Sequence, residues 1–572
     1  MTRGLAVFVG LALAATLGHG AAALGQPGVR PTDQTLAEYV ASQARAWAAR
    51  TTPDGRVIDP LDPADSGDNY GVILLADVML RVAARDDDPS LAETAEHIVQ
   101  KAETLAPVTG PFNLLAIGLL LRDGERSSFP APAWQRLSAG VARLAARVGR
   151  DPRRDCLTAV GCYSNWRLVW SAGAGALLAP GVDSNAALAI GGASSVSDQV
   201  ARDLRLAAAH VSPPISGAQT GGEAAELSDP GSEPQSYEML SAIMLALIEE
   251  VDPSAITPAI ARLTAEVDRY ALLMMAPDGQ LSLSGRSLDQ SWVQAAGVDL
   301  GYRRASTNGA EWRSFGTRSL AYLLSAYPDV GGGLTATVPG LASEWNRSLV
   351  DPYAAFAQCS GLALWFASDA LAHSSPARAA AERPLPADRA SLLLSDIRSS
   401  GAVWGRAAGV WWELRARATG GDPRLAQGLV AIKRRTGGGW RDLLALRPRE
   451  RGLESTWTLS VRGGRVAHPT FTRVEGSGAH AVLRGFYLDA HGRPLAPATW
   501  TVARAGGGVS FTMTKPPAST LTTTVWTAGR DAHLETRGAL RKRPCLVTAS
   551  GPACPETVVW GRRARAAILR VS

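Results

Sequence analysis

Lysine is almost missing from this chain: it occupies four of 572 positions (101, 433, 515 and 542), so nearly all of the 58 basic side chains are arginine. Long apolar runs are missing too. The most apolar internal segment, 168–182, contains a Ser-Ala-Gly-Ala-Gly stretch and falls short of the roughly 20 residues a membrane-spanning helix requires. Eight histidines and five cysteines are few, and no histidine stands at a ligand-like interval from a cysteine pair, which argues against a metal centre. A phosphate-cradling P-loop, a dinucleotide fingerprint after a strand, a His-Glu-x-x-His helix and a nucleophile-elbow serine are all absent, so the commonest nucleotide, metalloprotease and esterase chemistries are excluded.

What is present describes a globular protein with many turns: 46% hydrophobic and 19% charged residues, with 58 Gly and 35 Pro. Single cores stop growing near 250–300 residues, so two or more domains are expected. The net charge of +6 hides an opposition. Residues 1–373 sum to −12 and residues 374–572 to +18, an acidic front module joined to a basic back module.

Arg3 precedes an apolar stretch, 5–17, followed by small residues through Ala21-Ala22-Ala23. This is the order of a secretory signal, so residues 1–23 are expected to be removed and the protein to be secreted. In an exported chain Cys156 with Cys162, and Cys545 with Cys554, read as two local disulfides. Cys359 sits in a helical pattern and reads as a buried apolar residue.

From 34 to 373 the periodicity is helical. Helices over 36–49, 91–106, 133–148 and 256–273 carry one apolar stripe. Others are apolar almost all round and open on polar or aromatic clusters: Asp68-Asn69-Tyr70-Gly71, Phe112-Asn113, Tyr163-Ser164-Asn165-Trp166-Arg167, Ser236-Tyr237-Glu238, Asp289-Gln290-Ser291-Trp292, Glu311-Trp312-Arg313 and Asp351-Pro352-Tyr353. A helix apolar on all sides must be buried on all sides. The alternation therefore predicts an α/α toroid of helical hairpins, inner ring within outer ring, with the clusters gathered at one mouth. Residues 374–388 read as a linker. Beyond them, over 389–572, short alternating runs bounded by glycine predict an antiparallel β-sandwich, and the whole is a multidomain α + β protein.

Three stretches stand out for chemistry. The acidic loop holding Glu233 delivers Tyr237 to a helix start. A Gly285-Arg286-Ser287 turn leads to Gln290 and Trp292. The Asn165-Trp166-Arg167 cluster follows the first proposed disulfide. A helical toroid followed by a β-sandwich on a secreted chain, with these clusters, resembles the polysaccharide lyases of the heparinase II/III and chondroitin AC/hyaluronate lyase type. The resemblance implies β-elimination on a uronate-containing glycan. It gives catalytic roles to Asn165, Tyr237 and Arg286, with Asn69, Tyr70, Asn113, Trp166, Arg167, Glu233, Gln290, Trp292, Trp312 and Arg313 lining the substrate cleft. Many such lyases use a histidine, and the toroid offers only His97 and His210, both on polar helical stretches. Arg167, Arg286, Arg303, Arg304, Arg313 and Arg318, all near predicted inner-helix starts, are expected to offset the acidic field around a polyanion.

Two other readings stay open. Asp68, Asp229, Glu233, Glu238, Asp289 and Glu311 supply carboxylates for a glycoside hydrolase. A non-catalytic glycan- or wall-binding protein would use the basic module, including Lys433-Arg434-Arg435 and Arg562-Arg563-Ala564-Arg565, as its anchor on anionic polymer. The chain is read as a monomer with a polysaccharide or oligosaccharide substrate, without cofactor, metal or nucleic-acid partner.

Overall fold

The computed structural model describes residues 33–60, 70–105, 110–149, 164–178, 195–211, 215, 223–227, 235–283, 290–327, 329, 331–337, 356–374, 383–417, 427–444, 457–461, 464–528, 532–542, 546–548 and 551–572. Among these residues lie twelve α-helices: α1 (Asp33–Ala48), α2 (Tyr70–Asp86), α3 (Pro89–Thr104), α4 (Pro111–Glu125), α5 (Ala131–Gly149), α6 (Ser164–Ala176), α7 (Val196–Ala208), α8 (Ser236–Val251), α9 (Pro258–Met274), α10 (Ser291–Asn308), α11 (Ala310–Ala326) and α12 (Phe356–His373). Each even-numbered helix packs on the next, and α12 returns to α2, closing a ring of six. The odd-numbered helices pack around it. Composition sorts the two sets. Gly71 to Leu80 of α2 are buried in unbroken succession, whereas α7 buries only Val196, Gln199, Val200, Asp203, Leu204 and Ala207, one stripe at helical spacing.

The hairpin from α2 to α3 is a short, capped turn. After α2 the chain reverses at Asp87, whose φ is 53°. The Asp88 side chain then accepts a hydrogen bond from Leu91 N–H, and Pro89 opens α3, the arrangement that a helix start favours. The ring closes because backbones touch where side chains are missing. A Cβ on Gly361 of α12 would lie 2.1 Å from the Gly71 carbonyl oxygen of α2, and one on Gly118 of α4 would lie 2.3 Å from the Gly173 carbonyl of α6.

The inner helices run parallel, as a charge network at their C-terminal ends shows. Asp369 of α12 accepts from Arg81 Nη1 of α2 and Arg122 Nη2 of α4, each at 3.0 Å, and from Arg303 of α10. Glu250 of α8 pairs with Arg126 at 2.5 Å and with Arg303, and Asp123 binds Arg81 and Arg122. Five of the six inner helices thus meet in buried ion pairs. Burial would raise the Glu250 carboxyl, but Arg303 and Arg122 outweigh it and hold that carboxyl low. Asp77 goes the other way, up to about 8, through burial and the charge of Asp123.

Past His373 the first strand begins at Ser391. Strands β1 (Ser391–Asp396), β2 (Ala402–Ala407), β3 (Val410–Arg415), β4 (Gly428–Thr436) and β5 (Gly439–Asp442) form an antiparallel meander in sequence order. A second antiparallel sheet holds β6 (Thr458–Ser460), β7 (Val466–Ser477), β8 (His480–Leu488), β9 (Pro494–Ala505), β10 (Gly508–Thr514), β11 (Thr520–Ala528), β12 (Leu534–Thr536), β13 (Ala539–Lys542), β14 (Leu546–Thr548), β15 (Gly551–Trp560) and β16 (Ala566–Val571). Its order is β12-β16-β10-β9-β8-β7-β6-β11-β15-β13, with β14 on β15. The toroid-plus-sandwich class expected from the sequence is therefore present, with one refinement. Strand side chains alternate between faces, and in β2 and β3 both faces are buried. Trp404 and Trp411 face the helical core, while Val403, Val410 and Trp412 face the second sheet. The meander is the middle of three layers, and toroid and sandwich share a continuous apolar seam.

Candidate functional site at the mouth of the ring

With the C-terminal ends of the inner helices tied by charge, their N-terminal ends form the opposite mouth. There Tyr70, the first residue of α2, stacks on Phe112 of α4 at 5.0 Å between ring centres. On α6, Asn165 is buried and its neighbour Trp166 is 38% exposed. On α8, Tyr237 is half-buried against the core. An exposed indole, with a phenol on the start of the neighbouring inner helix, gives this mouth an apolar face suited to stack a sugar ring and a polar group to orient it.

The β domain fixes this mouth. Gln235, just before α8, adopts a left-handed φ of 42°, a conformation that costs energy for a non-glycine residue and persists only when its surroundings enforce it. Its Nε2 donates to Glu413 Oε1 of β3 at 2.7 Å. Ser236 bonds the hydroxyl of Ser282, itself at φ 56° in the segment leading to α10. That segment is clamped from the other side. The buried Lys433 ammonium of β4 donates to Asp278 Oδ2 (2.6 Å), Gln280 Oε1 (2.7 Å) and Asp442 Oδ1 (2.7 Å).

Beneath α8 lies a buried acidic cluster across the seam. Glu413, Glu226 and Asp396 face the Arg415 guanidinium, and Glu238 faces Glu226 and Tyr270. Glu238 Oε2 accepts from Leu227 N–H at 3.0 Å, Asp396 Oδ2 from the Tyr270 hydroxyl at 3.0 Å, and Glu226 from Ser399. Burial first, then the charges of Asp396 and Glu238, push the Glu226 carboxyl well up. Burial and the same carboxylates likewise raise the Tyr270 phenol.

The remaining sequence-derived residues separate. Tyr70, Asn113, Asn165, Trp166, Arg167, Tyr237, Gln290 and Trp292 all stand at inner-helix starts. Arg167, however, is fully buried and donates to Asp203 Oδ1 of α7 at 3.2 Å, a ring-to-ring tie. Gln290 and Trp292 are buried and bond one another, with the Trp292 indole donating to Gln290 Oε1. Trp312 and Arg313 lie at the opposite end, because α11 is an outer helix reached by a one-residue turn at Gly309. There Arg313 pairs with Asp33 at 3.0 Å and sits over the Tyr302 ring.

Of the arginines expected to draw a polyanion inward, Arg303 and Arg304 belong to the C-terminal end of α10 and Arg318 pairs with Asp388. His97 and His210 lie on or beside outer helices. The expected leader 1–23, Asn69, Glu233, Arg286, Cys156, Cys162 and Cys545 fall outside the described residues. Asp299, Asp369 and His373 come close enough together to suggest a metal set, but Arg303 already binds both carboxylates. Gln235, Ser282, Glu226 and Glu413 were missed from the sequence, where nothing marks a left-handed glutamine or a carboxyl partner 178 residues away.

The fold is a closed α/α toroid carrying an antiparallel β-sandwich. Similar solved structures include a heparinase III, 9% identical with a TM-score of 0.49, matched over 96% of this chain and 87% of that one. A chondroitinase AC lyase is 10% identical with a TM-score of 0.47, over 95% and 83%. The heparan sulfate lyase HepC from Pedobacter heparinus is 11% identical with a TM-score of 0.30, over 94% and 88%. No protein-family model and no curated protein matches the chain.

Proposed function

We propose that this chain is a secreted polysaccharide lyase that cleaves a uronate-containing glycan by β-elimination at the mouth of the ring. The observation that carries the reading is the gathering of exposed Trp166, half-buried Tyr237 and the Asn165 carboxamide on inner-helix starts, braced by the strained Gln235 turn. In this reading Asn165 hydrogen-bonds the substrate carboxylate and acidifies the proton at C5. Tyr237 takes that proton and returns one to the leaving oxygen at C4 as the C4–O bond breaks and a C4=C5 double bond forms. Arg286 would hold the phenol's pKa down from its ordinary value near 10, and Trp166 would stack the sugar. Secretion and the two disulfides belong to the same proposal. The hydrolase alternative loses two of its carboxylates among the described residues: Glu238 is turned into the buried cluster, and Glu311 lies at the far end beside Arg269.

The test is incubation with a panel of uronate-containing glycans while following near-ultraviolet absorbance from unsaturated uronate. Absorbance should rise for the native chain and fall roughly 10²–10⁴-fold for Tyr237→Phe, the span of acid–base contributions, with unchanged thermal melting. Reducing ends without the chromophore would assign hydrolysis, and neither signal would assign a binding protein.

A further inference from the structure

The outer face of the second sheet carries an arrangement that the mouth does not account for. Along β7 the register shifts between Phe471 and Arg473, and this bulge turns Arg473 outward, directly opposite Arg484 of β8. Two like charges facing each other across a ladder destabilise it. One carboxylate, Glu475, serves both, at 2.7 Å from Arg473 and 3.7 Å from Arg484. Two residues along β8 on the same face stands Phe486, 50% exposed and the most exposed large apolar side chain among the described residues. It is flanked across the ladders by Thr470 and Pro497, and Thr499 lies across from Arg484. Buried partners explain none of these side chains, because the inward positions, Phe471, Leu483, Tyr487 and Ala498, already fill the core.

We propose that this patch is a docking site for an acidic glycan chain. An aromatic ring beside a proline offers a flat apolar platform for the C–H face of a pyranose. The arginine pair, about 6–7 Å further along β8, offers forked donors for the carboxylate or sulfate of the next sugar. Threonine hydroxyls on either side meet the sugar hydroxyls. Charge complementarity selects the acidic class: residues 374–572 carry +18 overall, and Arg473 and Arg484 with one glutamate leave a local positive excess. The patch holds the polymer without acting on it, and keeps the chain attached while the mouth turns over.

The test is affinity electrophoresis in gels containing polygalacturonate or neutral dextran. Tyr237→Phe protein is used throughout, so that no cleavage interferes. Polygalacturonate is expected to retard the protein, less so at higher ionic strength because the arginines are exposed; dextran is not. The pair Arg473→Ala with Arg484→Ala should weaken retardation roughly tenfold or more, the loss of two charge-assisted contacts. Phe486→Ala should weaken it without changing the salt dependence. All these positions are exposed, so melting temperatures should match the parent. Equal retardation of the variants, retardation by dextran, equal retention by double-stranded DNA, or no retardation at all would each overturn the assignment. The chromophore assay on the native mouth is independent of all four outcomes, so either proposal is able to fail alone.

Discussion

At the scale of single residues, the ring depends on atoms that are absent. Gly361→Ala would drive a methyl group into the Gly71 carbonyl at 2.1 Å. The neighbour is backbone on a buried helix, so it has nowhere to yield, and overpacking of this kind costs about 3 kcal/mol. Gly437→Ala is the control, since nothing lies within 4 Å of its Cβ position. Chemical denaturation should show the first variant much less stable and the second near native; equal midpoints would refute ring closure through this contact. Polar and aromatic residues at helix starts were legible because their type contrasts with the apolar run that follows, as at Asn165, Trp166 and Tyr237. Arg167 was legible as a site residue for the same reason, yet its partner Asp203 lies 36 positions away on another helix. Sequence spacing carries no sign of such a tie.

At the scale of elements, the alternation of apolar and striped helices read correctly as inner and outer rings, because burial on all sides leaves a compositional trace. The assignment failed for α11. Its start, Glu311-Trp312-Arg313, looks like an inner-helix cluster, but the turn at Gly309 sends the chain back down the outside. The middle sheet was also underestimated, since strands buried on both faces lose the alternation that marks one-sided burial. Across elements, the charge network at the closed end makes a quantitative claim. Asp369→Ala removes the acceptor shared by Arg81, Arg122 and Arg303. Removing one partner from buried ion pairs costs about 3–5 kcal/mol, so the variant should unfold at clearly lower denaturant. A shift no larger than that of an exposed substitution such as Arg493→Ala would show that the network does not fasten the inner helices.

At the scale of the whole molecule, the opposed charges of the two modules marked a boundary in the sequence, but not how the modules are fastened. The fastening is a seam of buried acids, Glu226 and Glu238 from the helical side, Asp396 and Glu413 from the strands, with Arg415 and Tyr270 between them. This arrangement gives the molecule a pH dependence of definite sign. Glu226 holds its proton in the folded state far above the ordinary 4.5, whereas the unfolded chain releases it near that value. Below pH 4.5 both states are protonated and the group is neutral to stability. As pH rises above it, the unfolded state sheds a proton that the folded state retains, so stability falls, by at most about 1.4 kcal/mol per pH unit for one group. Asp203, raised to about 6 mainly by burial, and Asp268, raised to about 7 by the same cause, act in the same direction. The comparison therefore has to be between chains. Glu226→Gln keeps the shape and the hydrogen-bonding capacity without a proton to lose, so its stability should decline less between pH 5 and pH 8 than that of the native chain, leaving the variant relatively more stable at the upper end. Parallel decline of the two proteins would mean that Glu226 is ionised in the fold, with its charge balanced by Arg415.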